Sequence, residues 1–277
     1  MVKKTHNRLE DLAFQLSAID LLKLAKQQKD VTYQVLSKQL GYPVSVLNRY
    51  IKGYVLPTSD RAKDLRKKLS DFVKLQEEVA KRIQHDYWIC LSCNHIDRFQ
   101  KSEKKPEKCP NCGSDRVNDQ GYFDNTSVIS NISLMRLAAQ HVLEKFVGKR
   151  INLVLTAAVD GIPLAVLVAN LFNKDLVIAK KEREVGVKSF LEEAYVTSNS
   201  AVMTTLYVPK DLIRRGDGVI IVDDIMRSGE TQRALINLIQ KARAEVAGVF
   251  VIIAVGDEWK RKIPPSIPVE FVYKAKS

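Results

Sequence analysis

The chain has 277 residues, of which 45% are hydrophobic and 27% charged, and its formal net charge is +12. Two or three domains and a sizeable core fit this length. The opening MVKKTHNRLED lacks the apolar segment of a signal peptide, and the longest apolar run, Val246 to Val255, is too short to span a bilayer. A soluble, cytoplasmic protein is therefore expected.

The charge is unevenly placed. Residues 1 to 86 carry 17 Lys/Arg against 10 Asp/Glu, residues 87 to 120 carry 6 against 5, and the remainder 21 against 17. The excess in the first third suits a polyanionic partner, although many solvated helices are basic without one.

Residues 8 to 28 have an amphipathic helical pattern through Leu9, Leu12, Leu16, Ile19 and Leu22, which predicts the first core helix of a small bundle. In the next stretch Thr32 is an N-cap candidate for a short helix ending near Leu40. Gly41 supplies a turn, a second helix runs from about Pro43 to Lys52, and Gly53 stops it. Two short helices around a glycine turn are a helix-turn-helix signature. If Leu36, Leu40, Leu47 and Ile51 pack together, Val44, Ser45, Asn48, Arg49 and Lys52 line the opposite side of the second helix. Asn and Arg read adenine and guanine edges bidentately, and a lysine neutralises phosphate. The segment resembles the phage-repressor type of helix-turn-helix; a helical packing domain with a solvated polar face is the alternative. One further helix is expected from Thr58 or Ser59 to about Gln84, with Leu65, Leu69, Phe72, Leu75, Val79 and Ile83 on one side. It would bridge domains or carry part of a dimer contact.

All four cysteines fall in one segment. Cys90, Cys93, Cys109 and Cys112 make C-x2-C-x15-C-x2-C, the arrangement of two knuckles gripping one tetrahedral zinc as four thiolates. Tyr87, Trp88 and Phe99 can cover a core too small to hold alone, so the zinc would supply folding energy and be structural. Disulfides or a redox pair are the competing readings. His85 and His95 lie nearby, but a complete cysteine set leaves them no vacancy.

From about Tyr122 strands and helices alternate: a helix over 132 to 146, strand–loop–helix over 151 to 172, and a strand at LVIAKKERE, 176 to 184. The loop from Thr156 to Gly161, which includes Ala158, Val159 and Asp160, can hold phosphate oxygens on backbone N–H groups. Lys180, Lys181 and Arg183 would face the same ligand. The pattern culminates in VIIVDDIMRSGET, residues 219 to 231. Val219 to Val222 read as a buried strand delivering Asp223 and Asp224 to its carboxyl end. Arg227, Ser228, Gly229, Glu230 and Thr231 come next, and then Ala234, Leu235, Leu238, Ile239 and Ala242 at helical spacing. Ligands in open α/β sheets bind outside the carboxyl ends of strands, and a helix N-terminus attracts an anion. Adjacent carboxylates can accept hydrogen bonds from two ribose hydroxyls, while Gly229 lets backbone approach a phosphate. The implied ligand is a ribose carrying a 5-phosphate; an acid pair capping an ordinary helix is the bland alternative.

That stretch resembles the signature of type I phosphoribosyltransferases, which bind phosphoribosyl pyrophosphate (PRPP). TAAVDGIPLA resembles their pyrophosphate loop, and VIAKKER the segment whose lysine commonly assists. The resemblance runs from about residue 130 to 255 and is nearest to the purine and xanthine branch, especially the bacterial purine repressors. With a helix-turn-helix and zinc ribbon attached, the chain also resembles the archaeal GfcR-type regulators. The resemblance implies a multi-domain protein: an all-α helix-turn-helix domain over 1–86, a zinc ribbon over 87–120, and an α/β phosphoribosyltransferase-like domain with a mostly parallel sheet over 121–277. It further implies a homodimer that binds DNA, a PRPP or nucleotide effector accompanied by Mg²⁺, and no membrane.

Two departures bear on catalysis. Many enzymes of the orotate branch have lysine where this chain has Asp160, and an acid is a poor neighbour for pyrophosphate unless Mg²⁺ intervenes. Hypoxanthine-guanine enzymes have an acid at the position of Arg227, which is always protonated and so cannot be a general base. The 22 residues after Val255 leave room for about one more strand and not for an elaborate nucleobase hood. The reading is therefore a ligand-sensing transcription regulator, ahead of a phosphoribosyltransferase enzyme with accessory modules or an RNA-binding regulator.

Overall fold

The computed structural model describes residues 2–28, 31–70, 73–83, 87–93, 95–98, 106–118, 125–146, 148–196 and 203–275. Phe72, Gln84, His85, Phe99, Tyr122 and the side chain of Leu9 lie outside the described residues.

Five helices come first. Helix α1 (Val2–Gln27) precedes α2 (Tyr33–Leu40) and α3 (Val44–Ile51), and α4 (Ser59–Ser70) and α5 (Leu75–Arg82) complete the set. The expected single apolar stripe of α1 is only half right. Ile19 and Leu22 are buried and Leu16 half-buried, but Leu12 is exposed, and Ala18, Leu21, Leu24 and Ala25 are buried as well. The cause is that α1 packs against α3 and α4 and also against a later helix, so more than one face loses water.

The helix expected from residue 59 to 84 is two helices. Leu65 and Leu69 of α4 and the adjoining Val73 belong to the N-terminal core, whereas Val79 and Ile83 sit in the core beneath the sheet described below. A straight helix of 26 residues would run about 39 Å; here Lys74 is extended (φ −88°, ψ 117°), so the chain turns between its two cores.

Strands β1 (Tyr87–Cys90), β2 (Ile96–Arg98) and β3 (Val117–Asn118) form a small antiparallel sheet in the order β2-β1-β3. Then come α6 (Thr126–Ile129), α7 (Ile132–Lys145), β4 (Leu153–Ala157), α8 (Ile162–Phe172) and β5 (Asp175–Ala179). The strands β6 (Phe190–Val196) and β7 (Met203–Pro209) pair as an antiparallel hairpin. The chain continues through β8 (Gly218–Met226), α9 (Glu230–Lys241), β9 (Glu245–Val255) and β10 (Val269–Ala275). The main sheet has the order β10-β9-β8-β4-β5, and every pairing in it is parallel. The mostly parallel α/β sheet expected from the sequence is thus present, with β10 as the extra strand after Val255.

Period-2 alternation divides the strand residues between two apolar layers. Val154, Ile220, Val222 and Phe250 pack with Leu134 of α7 and Leu164 and Val168 of α8. Leu153, Leu155, Val219, Ile221 and Val249 pack with Leu235, Leu238 and Ile239 of α9. Buried on both faces, β8 can carry a charged residue only near its end.

The two cores are joined at α7. Its Leu137 belongs to the N-terminal helical core. Asp20 of α1, fully buried, accepts hydrogen bonds from Ser133 Oγ (3.1 Å) and Arg136 Nη1 (3.2 Å) of the same helix. Burial raises the Asp20 pKa above the ordinary carboxylate value, against the pull of Arg136 and Ser133.

Candidate functional site

The acid pair lies within β8 rather than beyond it. Pairing with β9 continues through Asp223↔Val251 and Ile225↔Ile253, because the eleven-residue β9 offers partners further than the apolar run of β8 predicts. Asp223 and Asp224 are only 6% and 7% exposed. Asp223 Oδ1 accepts from the Asp224 backbone N–H (3.0 Å), and its Oδ2 accepts from Gln232 Nε2 of α9 (2.8 Å). Asp224 Oδ2 accepts from Asn125 Nδ2, just ahead of α6 (2.5 Å). Burial, and then the neighbouring Asp224 charge, push the Asp223 pKa well above the ordinary carboxylate range. Burial also raises Asp224, with Asp160 adding repulsion.

These carboxylates face a cavity of about 540 Å³. Of the residues expected to bind the ligand, Ala158, Val159, Asp160, Lys181, Asp223, Asp224 and Thr231 line it. The loop from β4 to α8 supplies the first three. Its Ala158–Val159 peptide is cis, and Val159 is 72% exposed. Gly161 lies behind the loop, where a Cβ would fall 2.5 Å from Asp223 Oδ1 and 2.6 Å from Thr156 Oγ1. Gly161→Ala should therefore push the loop off the acid pair, costing roughly 1–3 kcal/mol of stability and weakening ligand binding. Urea unfolding and calorimetry check both effects; an unchanged midpoint with unchanged binding refutes the packing argument.

The remaining expected residues are not on the cavity wall. Lys180 pairs with Glu184, and its backbone bridges Tyr207 of β7. Arg183 does not face the ligand as expected: it ion-pairs with Glu192 of β6 (2.5 Å) and stacks over the Tyr207 ring. The β6–β7 hairpin, not anticipated from the sequence, draws it away. Arg227, Ser228, Gly229 and Glu230 form the turn into α9. Gly229 is its N-cap at φ 79°, where a Cβ would meet Trp259 Cβ at 2.9 Å, and Glu230 reaches Lys262 at 3.7 Å. Thr231, the second residue of α9, lines the same cavity as the two carboxylates.

Three residues of the site were missed. Tyr195 of β6 lines the cavity and receives a 3.5 Å hydrogen bond from Thr231 Oγ1; Gln232 and Asn125 hold the acids. The hairpin had a signal, since FLEEAYV and MTTLYVP are β-prone runs separated by a Ser/Asn-rich stretch. Asn125 lies 99 positions from Asp224 and had none.

The cysteines also converge. All four sulfurs lie within 4.8 Å of one another, with Cys90–Cys112 at 3.5 Å and Cys93–Cys109 at 3.7 Å. A disulfide needs about 2.0 Å, whereas four thiolates around zinc at about 2.3 Å sit roughly 3.8 Å apart. The donor set fits a four-thiolate metal site such as zinc. Hydrogen bonds from the Asn111 side chain and the His95 backbone lower the Cys93 pKa to about 6, whereas the neighbouring thiols push Cys112 up to about 12, so without a cation the four sulfurs do not ionise together. Trp88 is buried against this cluster, its ring 5.5 Å from that of His95.

In the N-terminal region, Thr32 Oγ1 caps α2 by accepting from Val35 N (3.2 Å), and Gly41 turns the chain at φ 75°. Leu36, Leu40 and Leu47 are buried as expected, but Tyr50 is buried while Ile51 is only half-buried. Arg61 of α4 donates to the Tyr50 hydroxyl (3.4 Å), which lets the ring go inside. Val44, Ser45, Arg49 and Lys52 are exposed; Asn48 is half-buried and accepts from the Tyr33 hydroxyl at 3.3 Å. Among the described residues, no helix is long and apolar enough to cross a membrane.

Comparison with known proteins agrees with this geometry. The chain is 31% identical over 139 residues to the purine biosynthesis transcriptional repressor PurR of Bacillus subtilis, a match covering 50% of this chain and 49% of that protein. It is 29% identical over 160 residues to the xanthine phosphoribosyltransferase of Clostridium tetani, covering 54% and 84%. The match thus spans about half the length of the purine regulators. Among solved structures, adenine phosphoribosyltransferase from Rhodothermus marinus superposes with a TM-score of 0.55 at 23% identity, covering 72% of this chain and 98% of that one. The phosphoribosyl transferase domain matches residues 127–271, more than half of the sequence, and the chain belongs to that family.

Proposed function

We propose that the protein is a DNA-binding transcription regulator that senses PRPP or a nucleotide. One observation carries the reading: the buried acid pair at an α9 N-terminus belongs to the same chain as a two-helix unit with an exposed face of Val44, Ser45, Arg49 and Lys52. A nucleotide-salvage enzyme has no use for that face. In this reading residues 1–86 are the helix-turn-helix domain with its linker, 87–120 the zinc ribbon and 121–277 the ligand domain. A homodimer binds repeated half-sites, in the cytoplasm. Asp223 and Asp224 accept the ribose hydroxyls, residues 227–231 hold the 5-phosphate, and Ala158 to Asp160 with Lys181 hold the pyrophosphate, while Lys180 stays paired with Glu184 at the cavity's edge. Asp160 would help hold a Mg²⁺ that accompanies PRPP, and the ion would supply the positive charge an acid beside a pyrophosphate needs. Zinc on the four cysteines is structural, since no coordination position stays open.

A gel-shift titration with PRPP and Mg²⁺ tests the sensor. No calorimetric heat and no ligand effect on DNA would sink it, and conversion of a nucleobase and PRPP to a nucleotide at enzyme-like rates would assign an enzyme instead. For the interface, Arg49→Ala should weaken specific binding by roughly 1–3 kcal/mol, whereas Lys52→Ala should weaken all sequences alike and flatten the salt dependence. Equal losses on specific and random duplexes for Arg49→Ala count against base reading.

A further inference from the structure

Resting on that reading, the coupling between the ligand cavity and the N-terminal helices can be located. Asp223 has both carboxylate oxygens engaged inside the protein, one by the Asp224 N–H and one by Gln232. Asp224 lines the same cavity, and its Oδ2 is held by Asn125. With only 7% of Asp224 exposed, incoming hydroxyls and the Asn125 amide compete for the same small surface.

The Asn125 backbone is tied to α6, which leads through Ser130 and Asn131 into α7. Its carbonyl accepts from Val128 N and Ile129 N (2.9 Å each), which starts α6. Ser130 Oγ then bonds Thr126 O (2.7 Å), and Asn131 Oδ1 caps α7 through Leu134 N (3.1 Å). The first turns of α7 carry Ser133 and Arg136, which grip the buried Asp20 of α1, and Leu137, which enters the helical core. Seven residues therefore separate the contact on the ligand-site carboxylate from the contact on α1. Between them lie one short helix and the start of another, fixed at each end by side-chain hydrogen bonds.

We propose that Asn125 is the positioning residue through which ligand occupancy is read: ribose hydroxyls displace its amide from Asp224, and the shift of α6 and α7 moves α1 and the DNA-facing helices. A ligand biases two states only through differential contacts, and the Asn125–Asp224 hydrogen bond is a contact made in one of them.

The test uses the full chain with PRPP and Mg²⁺ as the probe. Calorimetry gives the PRPP affinity, and fluorescence anisotropy gives the DNA affinity with and without PRPP. Asn125→Ala should bind PRPP roughly fivefold more tightly, as expected for removing one competing hydrogen bond, while PRPP should now change its DNA affinity less than about twofold. Asp20→Asn combined with Arg136→Gln, which weakens the far end, should keep wild-type PRPP affinity and lose the DNA response. If wild type binds and responds but Asn125→Ala keeps the full response, or binds PRPP more weakly, the relay is wrong and the sensor reading stands. If wild type itself binds no PRPP, both fall. Full coupling in the Asp20/Arg136 variant also overturns the relay.

Discussion

Replacing Asp223 and Asp224 together by asparagine should abolish the response to PRPP and make the protein more stable at neutral pH. Two charge-assisted hydrogen bonds to ribose hydroxyls, at about 1.5–3 kcal/mol each, amount to about a hundredfold in affinity after allowing for relief of repulsion toward phosphate. The stability gain has the opposite origin. Both carboxyls have folded-state pKa values raised above 3.8, chiefly by burial. Below the unfolded value, folded and unfolded chains are both protonated, and burial carries no charge penalty. As pH rises above it, the unfolded chain ionises first, and stability falls until the folded pKa values are passed. Asparagine does not titrate, so the variant's advantage in urea unfolding should be present at neutral pH and vanish near pH 4 or just below it. An equal difference at both pH values would show that the pair's charge is not the cause. DNA binding without ligand should survive in the variant.

Stripping metal should have the other large effect. One zinc per chain is expected on Cys90, Cys93, Cys109 and Cys112, and structural zinc in small modules contributes apparent binding energies of about 10–16 kcal/mol. The buried cluster there consists of Trp88, Cys90, Cys109 and Val117, packed with Cys93, which cannot hold a sheet of three short strands alone. Chelation, or Cys90→Ser, should therefore unfold β1 to β3, seen as lost amide protection, while the main sheet keeps its own melting transition. Metal analysis near zero together with two disulfides by mass spectrometry would refute the assignment.

What could be read from the sequence was local. The α2–Gly41–α3 unit, the strand–loop–helix at β4 and α8, and the approach of β8 to α9 all announce themselves by caps, glycines and periodicity over short stretches of chain. What escaped depends on partners distant in the chain. The helix expected from 59 to 84 divides because Leu69 and Val79 serve different cores, which no single-helix periodicity reveals. Tyr50 replaces Ile51 in the core because Arg61 meets its hydroxyl. Arg183 turns away because a hairpin brings Glu192 to it. Asn125 and Gln232 belong to the site only because folding carries an amide to each buried acid.

The place where α5 ends has a topological meaning. Val79 and Ile83 are already part of the core beneath the main sheet, and Ser127 Oγ of α6 donates to the Arg82 carbonyl at 2.7 Å. The chain leaves the α/β body at one point and comes back beside it, with the cysteine module on the excursion. The helices that flank that module, α5 and α6, therefore meet at one edge of the α/β body. The N-terminal helices and the cavity stay joined through α1 and α7, whatever the length or orientation of the segment that carries the four cysteines.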